Sequence, residues 1–497
     1  MEPNTTPANA PEFHRTLDDA LTNWSANPSR KPLVLLGARQ TGKTHALKKL
    51  AAVRYANLAF IDFSQTPQAA SAFDDSISPA DIVRKLELLL GISIAPERTL
   101  IVFDEVQLCE RALTSLKYFC DEAPEYHVAV AGSLLGVAVN RSKYSFPVGK
   151  VTLLPVHPLT FHEFLDALGF SGAISDIRHG LVTGSPIAFH APLIALSRLY
   201  MTVGGMPETV QAFVAARGNG PYSLAGTPSP HALSAARTVQ SAINTAYEAD
   251  MIKYVQTEDS AKIFEAWHSI PAQLAKENHK FQYKAIRSGA RAAQYAPAID
   301  WLASAGIVNL CTQVTEPVSP LAAFENPTAF KVYLEDTGLL MARYNATLSQ
   351  LNPADAKSAN FRGAIAENFV MQILVTSGLK PYYWGTPSKG ELEFLLDVET
   401  PQRNTMQPTS GGHGMPGESE APAPHASTMA GEPHRWALPL EVKSGRNVSA
   451  RSLTSFQAKY SPDYMVRVST KNFGFDNAIR SVPLYAVQAL AEEISAR

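Results

Sequence analysis

Lys31–Leu50 reads KPLVLLGARQTGKTHALKKL, and the fold class follows from how it divides. Pro32–Leu36 is an apolar run of strand length, Gly37–Thr44 is G-x-x-x-x-G-K-T, and Ala46, Leu47 and Leu50 recur at helical spacing. Strand, glycine-flanked loop and helix in that order form a phosphate-binding loop. Gly37 and Gly42 let the backbone curl, so that successive N–H groups across Ala38, Arg39, Gln40 and Thr41 converge on phosphate oxygens. The helix start beyond adds partial positive charge. Lys43 is expected to reach the β- and γ-phosphates, and the Thr44 hydroxyl to ligate Mg²⁺. The stretch is expected to bind a nucleoside triphosphate, with ATP and Mg²⁺ as cofactors.

Outward from this loop, Thr99–Gln107 (TLIVFDEVQ) carries four apolar residues that end in adjacent carboxylates. In a parallel sheet the carboxyl end of such a strand lies beside the phosphate loop. Asp104 is then placed to hold Mg²⁺ and Glu105 to activate water as a general base. Ala56–Phe63, Tyr126–Ala131 and Val151–Val156 read as further strands alternating with helical segments. The first 165 or so residues are therefore expected to form an α/β unit, a parallel sheet with helices on both faces. Ser133, after the strand YHVAVA, either contacts the γ-phosphate or closes a turn.

Composition bounds the remainder. The chain has 497 residues, more than one hydrophobic core accommodates, with 45% hydrophobic and 18% charged residues. A formal net charge of −2 gives no global attraction to nucleic acid, so DNA contact would need a local patch. Cys109, Cys120 and Cys311 show no metal-type spacing. The N-terminus lacks the basic and apolar regions of a signal peptide, and no run reaches the roughly 18 apolar residues of a membrane helix. The chain reads as cytoplasmic, without a membrane partner.

From Pro158 the pattern turns helical. Around Val255–Tyr344, two helical segments flank a basic stretch (Lys276, Lys280, Lys284, Arg287, Arg291), and two apolar strands follow. That order suggests a winged-helix module, which either meets DNA or serves as a lid or docking element. In the last part, Ile365–Leu374 reads as a helix with Glu367 near its start. GELEFLL (390–396) and LPLEVKSG (438–445) read as strands separated by a Pro/Gly/Ser/His-rich insertion with almost no apolar content. Strand alternation puts Glu393, Glu441 and Lys443 on one sheet face. With Glu367 they make a set able to bind a divalent metal and activate water against a phosphodiester.

Blocks along nearly the whole chain resemble one family: GARQTGKT (37–44), LIVFDEVQ (100–107), AGSLLG (131–136), GGMPE (204–208), KVYLEDTGLL (331–340), FRGAIAENFV (361–370) and LEVKSG (440–445). The chain resembles prokaryotic AAA+-type, STAND-related P-loop ATPases that carry a C-terminal domain with a restriction-endonuclease-like fold. The resemblance implies Gly37, Gly42, Lys43 and Thr44 at the triphosphate, Asp104 at Mg²⁺, Glu105 at water and Ser133 as γ-phosphate sensor. It implies Glu367, Glu393, Glu441 and Lys443 as a nuclease-like set, with Glu393 standing where such nucleases usually have Asp. The expected organisation is a disordered tail (1–15), an ATPase domain (16–170), a helical lid (171–254), a winged-helix module (255–345) and a nuclease-like domain (346–497) with a disordered insertion at 400–435. The expected activity is that of an ATPase whose nucleotide state controls the later domains. A metal-dependent DNA endonuclease and a nucleotide-gated scaffold that binds another protein are the alternatives.

Overall fold

The computed structural model describes residues 13–132, 146–218, 228–253, 257–276, 280–352, 358–386, 390–399, 435–444 and 451–496. The polar tail before Phe13, Ser133, residues 219–227 and almost all of the 400–435 insertion lie outside them.

The first unit runs α1 (Thr16–Ala26), β1 (Leu33–Leu36), α2 (Lys43–Arg54), β2 (Asn57–Asp62), α3 (Pro79–Leu90), β3 (Thr99–Asp104), α4 (Glu110–Glu122), β4 (His127–Ala131) and β5 (Thr152–Pro155). Its five strands are all parallel, in the order β2-β3-β4-β1-β5. Both faces are covered, which is why β3 and β4 are buried at every residue and read as unbroken rather than alternating apolar runs. Ile101 and Phe103 pack with Ile82, Leu86, Leu116 and Phe119 on the α3–α4 side. Leu100 and Val102 pack with Leu17, Leu21, Leu47 and Leu50 on the α1–α2 side. One strand thus feeds two cores by simple alternation.

The middle is helical: α5 (Phe161–Ala167), α6 (Ser171–Thr183), α7 (His190–Val203), α8 (Pro207–Ala216), α9 (Pro230–Lys253), α10 (Thr257–Leu274) and α11 (Ala292–Ser304). Then come β6 (Val308–Val314), β7 (Glu325–Leu334), α12 (Thr337–Arg343), α13 (Ala359–Thr376), β8 (Tyr382–Thr386), β9 (Gly390–Glu399), β10 (Arg435–Lys443), α14 (Arg451–Tyr460), β11 (Met465–Ser469), β12 (Gly474–Asp476), β13 (Ile479–Pro483) and α15 (Val487–Ser495). No helix among the described residues is long and apolar enough to cross a membrane.

Two features differ from the sequence-based picture. The β6–β7 hairpin, expected as a wing, does not end free. β6 pairs in parallel with β8 (Thr312↔Tyr382, Gln313↔Tyr383), giving one eight-stranded sheet, β12-β13-β11-β10-β9-β8-β6-β7, that runs across the boundary expected at 345/346. An isolated hairpin is marginal in water, and pairing with β8 gives its inner strand a second partner. The outer edge, β7, is also covered: Asn368 on α13 accepts from Leu334 N at 2.8 Å and donates to Leu334 O at 3.0 Å. Second, α13 starts at Ala359 rather than near Ile365, which puts Glu367 in mid-helix, 6% exposed, instead of near its start. The middle helices and the second sheet share a core that runs from Leu159 to Ile494, and Ala38 of the phosphate loop belongs to it.

Candidate functional site

The loop after β1 is held by sterics and by its own hydrogen bonds. A Cβ on Gly37, whose φ is +146°, would lie 2.1 Å from the Val156 carbonyl oxygen, so glycine alone fits where the chain leaving β5 crosses the loop. Thr41 is fully buried and its hydroxyl donates to Ala38 O at 2.9 Å. Lys43 Nζ donates to Gly37 O at 2.8 Å and to Ala38 O at 2.6 Å. Burial pulls the Lys43 ammonium down to about 8, against the opposing pull of Glu105 and Asp104.

β4 separates β1 from β3, yet the ends of the two outer strands meet across it. Thr44 Oγ1 donates to Asp104 Oδ2 at 2.6 Å, and Glu105 N donates to Asp104 Oδ1 at 3.0 Å. Burial raises the Asp104 carboxyl, and the Thr44 hydrogen bond opposes that rise. Glu105 leaves β3 with φ +50°, a left-handed conformation that costs a residue with a Cβ about 1–3 kcal/mol. Its carboxylate accepts from the Gln107 side-chain amide. Gln40, mid-loop, is likewise left-handed at φ +65°.

Four contacts on the loop come from residues that the sequence did not flag. Arg15 Nη1 donates to Thr41 O at 2.8 Å and Nη2 to His157 O at 2.6 Å. Tyr247 Oη on α9 donates to Arg39 O at 3.0 Å, and Asp250, one turn on, pairs with Arg39 Nη1 at 2.7 Å. Gly306, in the turn between α11 and β6, lies so close that a Cβ there would be 3.0 Å from Ala38 N. Tyr247 and Asp250 share a helical face, a faint signal; Gly306 reads only as a helix stop, and Arg15 carries no signal.

The second constellation lies on the eight-stranded sheet. Continuing the register Leu440↔Phe394 puts Glu441 opposite Glu393. Lys443 Nζ stands 3.3 Å from Glu441 Oε1 and 3.4 Å from Glu393 Oε1. Lys331 on β7, fully buried, pairs with Glu391 and lies 3.8 Å from Glu367 Oε2, to which Tyr333 also donates at 3.1 Å. Burial pushes the Glu393 carboxyl up to about 7, with Lys443 opposing and Glu367 adding to the rise. Burial alone would lower the Lys331 ammonium; Glu367 and Glu391 outweigh it and raise it. The four nuclease-like residues are thus neighbours of a larger cluster, which adds Lys331 and Glu391. Glu391 was legible, two residues before Glu393 on the same face. Lys331 had only its oddity as a cation inside the apolar run AFKVYL.

The expected divalent metal does not fit this cluster as it stands. Mg²⁺ requires oxygens converging on one point at ~2.1 Å, whereas ammonium groups bridge these carboxylates. Among the described residues no group of three or more His, Cys, Asp or Glu side chains is arranged to hold a metal ion. Lys276, Lys280, Lys284, Arg287 and Arg291 are exposed in the connection between α10 and α11, with Arg287 3.4 Å from Glu265. The exposed residues of α11 itself include Ala292, Ala293, Gln294, Pro297 and Asp300, none of them basic.

An all-parallel sheet with a phosphate loop after one strand and an acid at the end of another has the P-loop fold. Residues 29–165 match the family described as an AAA domain (AAA_14), and residues 195–350 match a domain of unknown function (DUF8612). Neither match reaches past residue 350. No curated protein matches the chain. Among solved structures, the Walker-type ATPase of Pyrococcus abyssi is similar at 14% identity, covering 67% of this chain and 96% of that one, with a TM-score of 0.40. The Aeropyrum pernix ORC1 protein in complex with DNA follows at 13% identity, 68% and 95% coverage and a TM-score of 0.31. A STAND protein with a tetratricopeptide repeat sensor from Pyrococcus horikoshii gives 10% identity, 74% and 46% coverage and a TM-score of 0.24. Scores this low describe partial likeness and carry no functional weight.

Proposed function

We propose that this chain binds ATP with Mg²⁺ and hydrolyses it at the site built from residues 37–44, Asp104 and Glu105. The observation that carries the reading is the 2.6 Å hydrogen bond between Thr44 and Asp104, which joins the two halves of a metal-ligand pair at the mouth of the loop. In this reading the backbone amides of Ala38–Thr44 cradle the phosphates, and Lys43 exchanges its two loop carbonyls for β- and γ-phosphate oxygens. Thr44 and Asp104 would hold Mg²⁺, which would supply charge neutralisation for the triphosphate. Glu105 accepts a proton from the attacking water once its carboxylate leaves Gln107. Ser133 takes the γ-phosphate sensing role that the family resemblance implies.

Nucleotide state reaches the rest of the chain, in this reading, through the groups that touch the loop: Tyr247 and Asp250 on α9, Gly306 ahead of β6, and Arg15. For the C-terminal sheet, a docking or scaffold role controlled by nucleotide is favoured over metal-dependent DNA cleavage, because the buried Lys331 already pairs with Glu391 and lies 3.8 Å from Glu367. The site itself is tested by titrating the full-length chain with a fluorescent ATP analogue, with and without Mg²⁺. Saturable, Mg²⁺-enhanced binding that Lys43→Ala removes is expected. Binding unaffected by Lys43→Ala would move the nucleotide elsewhere.

A further inference from the structure

Away from the phosphate loop, α6 and α7 enclose a cavity of about 460 Å³. That volume falls within the roughly 300–1,000 Å³ typical of small-molecule sites. Phe170, Ala173, Ile187, Phe189 and Leu193 line it, and Phe189 stays 59% exposed. Two polar side chains join this apolar lining. Asp176 and His179 stand three residues apart on α6 and so share one of its faces. Neither side chain has a hydrogen bond or an ion pair among the described residues. The cation beside them in sequence, Arg178, is taken by Glu492 at 2.9 Å.

Asp176 thus brings an uncompensated negative charge to an aromatic, apolar cavity. A protonated amine answers both features. Its ammonium pairs with a carboxylate and lies favourably over a phenyl face, while its hydrocarbon body covers apolar surface.

The C-terminal sheet holds one wall of the cavity. Ile187 N donates to Asn472 Oδ1 at 3.2 Å, and Ile187 O accepts from Asn472 Nδ2 at 3.0 Å. Phe473 packs against Gly180, where a Cβ would lie 2.7 Å from Phe473 Cε2 and 2.9 Å from Ile187 Cγ2. Asn472 and Phe473 belong to the connection between β11 and β12, so the cavity lies where the middle helices meet the second sheet.

We propose that this cavity binds a small apolar molecule carrying a protonated amine, with Asp176 as its counterion and Phe170 and Phe189 as aromatic walls. An occupant touches Ile187, the residue that Asn472 clasps through both backbone groups. The site is separate from the nucleotide site and is read without nucleotide.

Fluorescence titration of the full-length, nucleotide-free chain with dansylcadaverine, a primary amine on an aromatic sulfonamide, is the test. Its N-acetylated, uncharged derivative is titrated beside it. Saturable binding of the amine is expected, at least tenfold tighter than that of the acetylated form. Asp176→Asn is expected to erase that preference, and Gly172→Phe to weaken the amine at least tenfold. Gly172 lines the cavity on the first turn of α6 with nothing within 4 Å of an added Cβ, so a phenyl there takes up the ligand's space without displacing a neighbour. No saturable binding by the wild type, equal affinity for the two probes, or a preference that survives Asp176→Asn would overturn the proposal. Undiminished binding to Gly172→Phe would overturn it equally.

Discussion

Thr44 Oγ1 and Asp104 Oδ2 are 2.6 Å apart, although 60 residues of chain and the whole of β4 separate them. A hydroxyl on the first turn of α2 and a carboxylate at the end of β3 meet only if both strands end at the same height beside the loop. In the proposed reading that meeting point is where Mg²⁺ is shared.

Asp104→Asn keeps the size and the Thr44 contact while removing the charge. Mg²⁺-dependent nucleotide affinity is expected to fall about 10–100-fold, with little change in affinity measured in EDTA. Isothermal titration under both conditions decides it; an equal loss with and without Mg²⁺ would remove Asp104 from the metal.

Tyr247 and Asp250 brace the loop through Arg39. Each hydrogen bond is worth about 1 kcal/mol net, or roughly fivefold in an equilibrium. Tyr247→Phe and Asp250→Asn should each weaken ATP binding several-fold while the circular dichroism spectrum stays that of wild type. Unchanged affinity in both would mean that α9 does not support the loop.

Lys43 predicts a proton balance. Its folded value of about 8 lies below the usual 10.5 because the ammonium is buried. Polyphosphate charge favours the ammonium and raises that value, so ATP binding between about pH 8 and 10 should take up a proton and weaken as pH rises. Calorimetry at pH 8.5 in buffers of different ionisation heat measures the uptake, and Lys43→Arg, charged throughout, should abolish it. Proton-neutral binding by the wild type would contradict this.

Glu393 gives a pH effect on stability. Its carboxyl is raised from the usual 4.5 to about 7, so the folded chain holds a proton that the unfolded chain has released. That contribution is fully present below about pH 4.5 and is lost as pH rises through about 7. Melting temperature should therefore fall from pH 5 to pH 8 in the wild type more steeply than in Glu393→Gln. Parallel pH profiles would place the proton elsewhere.

How much of this was legible in the chain depends on how local each signal is. The phosphate loop lies within eight consecutive residues, and the apolar run ending in Asp104-Glu105 is equally compact. A parallel sheet buried on both faces follows from unbroken runs such as LIVF. That Glu393, Glu441 and Lys443 share a face follows from strand parity. What could not be read were pairings between distant segments. Nothing near Thr312 announces Tyr382 as its neighbour, so the hairpin looked like a free wing. Lys331 looked like an ordinary strand residue until β9 and α13 surrounded it. Arg15, Tyr247 and Gly306 touch the loop through tertiary packing alone, and no spacing in the sequence encodes that.

The most direct measurement is steady-state ATP turnover and ATP binding by Glu105→Gln beside the wild type. Saturable Mg²⁺-dependent turnover by the wild type, with a loss of at least 100-fold in the variant and ATP affinity within a few-fold of wild type, is the predicted result. A variant that hydrolyses ATP as fast as the wild type, or a wild type with no affinity for Mg·ATP, would contradict the account.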